Sequence, residues 1–233
     1  MPLSYLPKKY YSLTGLVVGS VTPDFEYFLR MKVDSEFSHT LSGMFWFDLP
    51  LGLIIAFVFH GIVRDPLISN LPGWYGRRMN QFKDFEWTKY FLHNWLVVLI
   101  SLLIGIASHL FWDSFTHRDG YFVLNCPSFA KEISIFGFPV KIYHIFQHGS
   151  TMIGAAVILY AIKLMPENRN VVAKPKLGYW FFSFLIMLIV IGVGGIMGKD
   201  YLMYGELLIT GISGGLLGLI LCSIAWLKLK WWK

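Results

Sequence analysis

Charge is what this sequence has least of. Asp, Glu, Lys and Arg make up 15% of its 233 residues, where a soluble globular domain carries about 25%. Cysteine is scarce too. Cys126 and Cys222 fall in different predicted regions, which leaves no disulfide framework to expect. No HExxH string occurs, so the commonest zinc-protease signature is excluded. No GxxxxGK loop is present to cradle a nucleotide phosphate. No cleavable signal peptide is expected, because Thr22-Pro23-Asp24 breaks the first apolar stretch and no small-residue cleavage pattern follows.

Apolar sequence fills the space that charge leaves. Hydrophobic residues make up 55% of the chain, and the mean hydropathy is +0.55. Several apolar runs of about 20 residues predict a polytopic membrane protein. The 9 Trp, 12 Tyr and 20 Phe suit aromatic rings at the membrane boundary. The expected fold is all-α, a transmembrane helical bundle forming one membrane domain over residues 1–233. Six spans are read at about 12–29, 43–63, 90–112, 144–163, 177–197 and 202–227. The first is short, and Pro23 should bend or end its helix. Its alternative is a dip into the membrane without a clean crossing.

The basic residues orient this bundle. With both termini cytoplasmic, Lys8, Lys9, the connection 64–89, the 163–176 loop and the C-terminal lysines hold 14 of the 20 Lys and Arg. Arg30, Lys32, Arg118, Lys131, Lys141 and Lys199 remain outside. That bias is the positive-inside pattern of a cytoplasmic (inner) membrane protein, and it accounts for the net charge of +6 without nucleic acid. The connection 64–89 is read as an interfacial amphipathic element on anionic lipid, with protein docking as its competitor. The external loop 118–143 is rich in aromatics. Gly194/Gly198, Gly211/Gly215 and Gly214/Gly218 form small-xxx-small pairs, expected to serve as internal contacts in preference to a homodimer interface.

In that orientation, polar residues gather at the outer face. His109, Asp113 and His117 are spaced four apart, so a helix puts them on one face. Asp24 follows Pro23, His39 precedes the second span, and Asp48 sits inside it without a polar sequence neighbour. His144 and His148 share a face at the start of the fourth span. Ionisable groups in lipid need partners or a function. An imidazole and a carboxylate one turn apart suit a divalent cation, and they equally suit a hydrogen bond that locks two helices. Asp24 and Glu26 also fit an interfacial turn facing water near Arg30 and Lys32. His60 and His93 are read as interfacial bystanders, and Glu206 as either a cavity or an interfacial carboxylate.

At Pro23-Asp24, Ser38-His39-Thr40 and the His109-to-His117 ladder, the chain resembles the bacterial membrane family catalogued as domain of unknown function 4184. More distantly it is similar to YdjM-like inner-membrane proteins, regarded as metal-dependent hydrolases. The resemblance implies Asp24, His39, His109 and Asp113 as metal ligands, and their imidazole and carboxylate donors suit zinc, with manganese as the alternative. Asp48 or His117 would then orient a ligand or move protons, and His144 and His148 would face the substrate. An opening at the outer lipid boundary suggests a phospholipid or lipid-linked phosphoester. A transporter and a structural subunit with a buried polar network are the rival classes.

Overall fold

The computed structural model describes residues 7–83, 85–168, 170, 175–201 and 204–229. Arg169, Lys174, Lys230 and Lys233, counted above in the charge bias, lie outside them. Among the described residues, 5 helices are long and apolar enough to cross a membrane. They coincide with the second to sixth expected spans.

The first apolar stretch is three short pieces, α1 (Leu13–Val21), a 3-10 turn (Thr22–Asp24) and α2 (Phe25–Arg30). It is not among the 5 long helices. Pro23 lies within the turn that separates α1 from α2. Met31, at φ 51°, caps α2 in the left-handed region. The next helical run widens into π-helical turns at Met44–Asp48 and Phe59–Val63, on either side of α3 (Leu49–Val58). It continues as α4 (Arg64–Asn70), and α5 (Gly73–Met79) follows. Then come the long α6 (Trp87–Thr116), α7 (Tyr121–Asn125) and α8 (Pro127–Ala130). A hairpin of β1 (Glu132–Ile135) and β2 (Phe138–Lys141) leads into α9 (Ile142–Leu164). The chain ends on α10 (Leu177–Ile196) and α11 (Tyr204–Lys228).

The chain divides into two compact units, residues 1–106 with 167–233, and residues 107–166. In the first, α1 lies backbone-to-backbone against α6. A Cβ on Gly105 would fall 2.5 Å from the Leu16 carbonyl oxygen and 2.8 Å from the Ser20 nitrogen. Ser12, the N-cap of α1, donates its N–H to Ser101 Oγ at 2.8 Å. Lipid offers no hydrophobic drive between helices, so close approach through small residues supplies the packing. Val18, Ala56, Val98 and Leu102 fill the buried core of this contact.

A second close pair is α10 with α11. A Cβ on Gly218 would meet the Ser183 carbonyl oxygen at 2.5 Å, and Tyr179 Oη lies 3.0 Å from Ser223 Oγ. Gly214 packs against Met187, while Gly211 and Gly215 meet only side-chain tips. The Ser213 hydroxyl, on α11, reaches the Phe28 carbonyl at 2.8 Å and so ties α11 to α2.

In the second unit, the expected external loop is ordered. Phe115 stacks on Phe122 at 4.0 Å and 9°, and Phe129 closes on Phe115 at 5.8 Å. Glu132 pairs with Lys141 at the hairpin base, and Ile135 pairs with Phe138 before the tip. Phe136 and Gly137 make the reversal with φ of 50° and 85°. That suits a two-residue type I′ turn, which needs positive φ at both positions.

Candidate metal centre

Within the first unit, the break at Pro23 places Asp24 where α1 hands over to α2. The Thr22 hydroxyl bonds back to the Val18 carbonyl at 2.7 Å. That bond closes the end of α1, and Asp24, two residues on, is half-buried. His39 lies on the loop after α2, with Nε2 4.0 Å from Asp24 Oδ1. Its other ring nitrogen, Nδ1, faces the hydroxyls of Ser35 at 3.0 Å and Ser38 at 2.9 Å. The Tyr27 ring lies 5.2 Å from the imidazole, centroid to centroid. The hydroxyls hold one edge of His39, and Nε2 is turned to the carboxylate.

Glu26 builds the loop that carries these hydroxyls. Its side chain is buried, and its carboxylate accepts the N–H groups of Glu36 at 2.8 Å, Phe37 at 3.0 Å and Ser38 at 2.8 Å. Three successive amides form a nest for an anion. The Ser35 hydroxyl and Arg30 complete the shell at 3.0 and 3.1 Å. Burial alone would push this carboxyl up. The backbone donors outweigh it and hold the pKa down to about 2, from an ordinary 4.5. The alternative of an interfacial turn with Glu26 facing water therefore does not hold for this side chain. A carboxylate beside three unpaired loop amides gains more from the nest than from solvent. Nothing in helical spacing points to those amides, which is why the sequence reading missed it.

Glu206 braces the same loop. It accepts the Val33 N–H at 3.1 Å, and Lys199 bridges Glu206, at 3.3 Å, to the Met31 carbonyl. It thus serves the loop that carries His39. Asp48 is fully buried. It lies one turn before Gly52, where a Cβ would meet Thr22 Oγ1 at 3.1 Å, so the helical face bearing Asp48 is the one that meets the Thr22–Asp24 turn.

In the second unit, the ladder on α6 forms as its spacing predicts. Asp113 sits between two imidazoles, with Oδ2 3.0 Å from His109 Nε2 and Oδ1 3.4 Å from His117 Nδ1. Thr116 Oγ1 lies 3.3 Å from the same His117 nitrogen. The tight turn at Gly120 ends this helix, its N–H bonded to the His117 carbonyl at 3.0 Å. His144 and His148 lie exposed along one face of α9, their rings 6.1 Å apart. Asp24, His39 and His109 are each half-buried, and each offers one donor atom that a divalent cation accepts.

Two other polar features carry no chemistry here. Gly211-Ile212-Ser213-Gly214-Gly215 spells GxSxG, but it lies inside α11, and the Ser213 hydroxyl is shared between the Phe28 and Ile209 carbonyls. A nucleophile elbow needs a sharp strand-to-helix turn instead. His60, read from sequence as a bystander, is held on both sides. Arg64 donates to Nδ1 at 3.1 Å, and Thr14 Oγ1 lies 3.0 Å from Nε2. A guanidinium only donates, so Nδ1 accepts, the ring is neutral, and Nε2–H donates to Thr14.

Compared with known proteins, the chain matches the family described as Domain of unknown function (DUF4184) over residues 1–224. No curated protein and no solved structure matches it, so the YdjM-like likeness rests on the short motifs alone.

Proposed function

The chain belongs to the Domain of unknown function (DUF4184) family, a name that carries no chemistry, and we propose from the site itself that it is a membrane-embedded, metal-dependent hydrolase. The observation that carries this reading is the presentation of His39. Its Nδ1 is held by two hydroxyls while Nε2 faces Asp24 at 4.0 Å. A metal-ligating imidazole is characteristically fixed through its other ring nitrogen in this way.

In this reading Asp24, His39 and His109 are the ligands. Asp113, 3.0 Å from His109 Nε2, is the carboxylate that orients His109. This narrows the four-residue set that the resemblance implies. Two imidazoles and one carboxylate suit zinc and leave a fourth position for substrate or water, and manganese is the alternative where carboxylate dominates. The bound cation would supply Lewis acidity toward a phosphoryl oxygen. His117, half-exposed and 3.4 Å from Asp113, would pass protons between that carboxylate and water. Asp48 buttresses the Asp24 turn from the neighbouring helix. His144 and His148 receive the anionic head of the substrate. That substrate is a phospholipid or lipid-linked phosphoester at the outer leaflet of the inner membrane, with the 64–89 connection on the cytoplasmic side.

The test is turnover by the full chain in nanodiscs. Phosphatidic acid and a polyprenyl diphosphate are supplied with zinc or manganese, and released phosphate is measured. The expected result is metal-dependent release, lost with chelator and in His39→Ala. Metal-loaded protein that releases nothing from either lipid contradicts the hydrolase reading.

A further inference from the structure

We propose that the cleft at the junction of the Met44–Asn70 helical run and α6 is a binding site for an anionic phospholipid, separate from the metal centre. The cleft measures about 840 Å³ and lies within the first unit. Its lining combines the apolar Phe57, Trp87 and Leu92 with the cationic Lys83 and Lys89. That mixture suits a ligand carrying both an acyl chain and a phosphate.

Three features make it a built site. The π-helical turn Phe59–Val63 widens the helix at its mouth, and a Cβ on Gly61 would meet nothing within 4 Å. The walls are braced by hydrogen bonds and stacking. Arg64, 7% exposed, donates to the Phe85 carbonyl at 2.6 Å and the Lys83 carbonyl at 2.9 Å. His60 stacks on Trp87 at 4.6 Å and 8°. Among the described residues, the charges balance in favour of an anion. Asp65 is taken by Arg64 at 2.7 Å, and the Glu86–Lys89 pair, 3.8 Å apart with both side chains 74% exposed, is a weak surface contact. Lys83 and Lys89 are therefore available to a phosphate. The cleft lies where two long apolar helices meet polar sequence, the level at which headgroups lie.

The test uses full-length protein in detergent, with bound lipid counted by native mass spectrometry against phosphatidylglycerol and phosphatidylcholine. Wild type should bind phosphatidylglycerol about tenfold or more tightly than phosphatidylcholine, as two lysine contacts to a headgroup require. K83A/K89A should lose that preference, while K131A/K141A, with the same charge loss elsewhere, should keep it. Gly61→Leu, which fills the cleft without changing charge, should weaken phosphatidylglycerol binding as well. Melting temperatures in phosphatidylcholine nanodiscs check that each variant is folded. Three outcomes overturn the proposal. They are undiminished phosphatidylglycerol binding by folded K83A/K89A, equal binding of both lipids by wild type, or full displacement of the lipid by inorganic phosphate.

Discussion

Ser38 Oγ lies 2.9 Å from Nδ1 of His39. Together with Ser35 it sets which edge of the imidazole is free to bind. Removing both hydroxyls should leave the helices intact and the ring loosely held. Ser35→Ala/Ser38→Ala is expected to weaken zinc affinity by about 10–100-fold, the usual cost of losing an outer-shell partner. Competition with a chromogenic chelator measures it. Unchanged affinity would separate His39 from the metal.

Glu26 makes the same loop sensitive to acid. Its folded pKa, about 2, lies below its ordinary 4.5. A carboxyl depressed in the folded state stabilises above the unfolded pKa and loses that contribution as pH falls through the folded value. The contribution is roughly 3 kcal/mol above pH 5 and fades between about pH 4.5 and 2. Glu26→Gln should lower the melting temperature at pH 7, and the gap to wild type should close as the medium is acidified. A gap that is constant with pH contradicts the nest.

The α1–α6 contact leaves no room for a methyl group at Gly105. Gly105→Ala brings it 2.5 Å from the Leu16 carbonyl oxygen, so backbones must separate. The expected loss is about 1–3 kcal/mol in denaturant unfolding from mild detergent. Gly61→Ala, in open space, is the matched control and should cost far less.

Arg64 fastens the start of α4 to the turn before α6 through two carbonyls and His60. Arg64→Met leaves these buried acceptors unmet, at about 1–3 kcal/mol each where water cannot enter. Thermal unfolding should shift down, and hydrogen exchange at residues 80–93 should accelerate. Unaltered exchange there would show that the guanidinium is not the clamp.

The long helices and the ladder were legible in the sequence for one reason, local periodicity. Apolar runs of about 20 residues and polar residues four apart both register within a single helix. What escaped depends on groups distant in sequence or on backbone donors. Glu26 looked solvated because its partners are amides 10 to 12 residues away, where no side chain advertises them. His60 looked idle because Thr14 is 46 residues distant. The π-helical turns at Met44–Asp48 and Phe59–Val63 have the same apolar composition as the α-helix between them. The hairpin was read as loop because its strands are only 4 residues long and its tip is aromatic.

The central claim is that a divalent cation sits on Asp24, His39 and His109. Elemental analysis of full-length protein purified in mild detergent, set beside Asp24→Asn, His39→Ala and His109→Ala, tests it directly. About one zinc or manganese per chain in wild type, and much less in all three variants, is the expected result. Equal metal in the four preparations, whether near zero or near one, contradicts it.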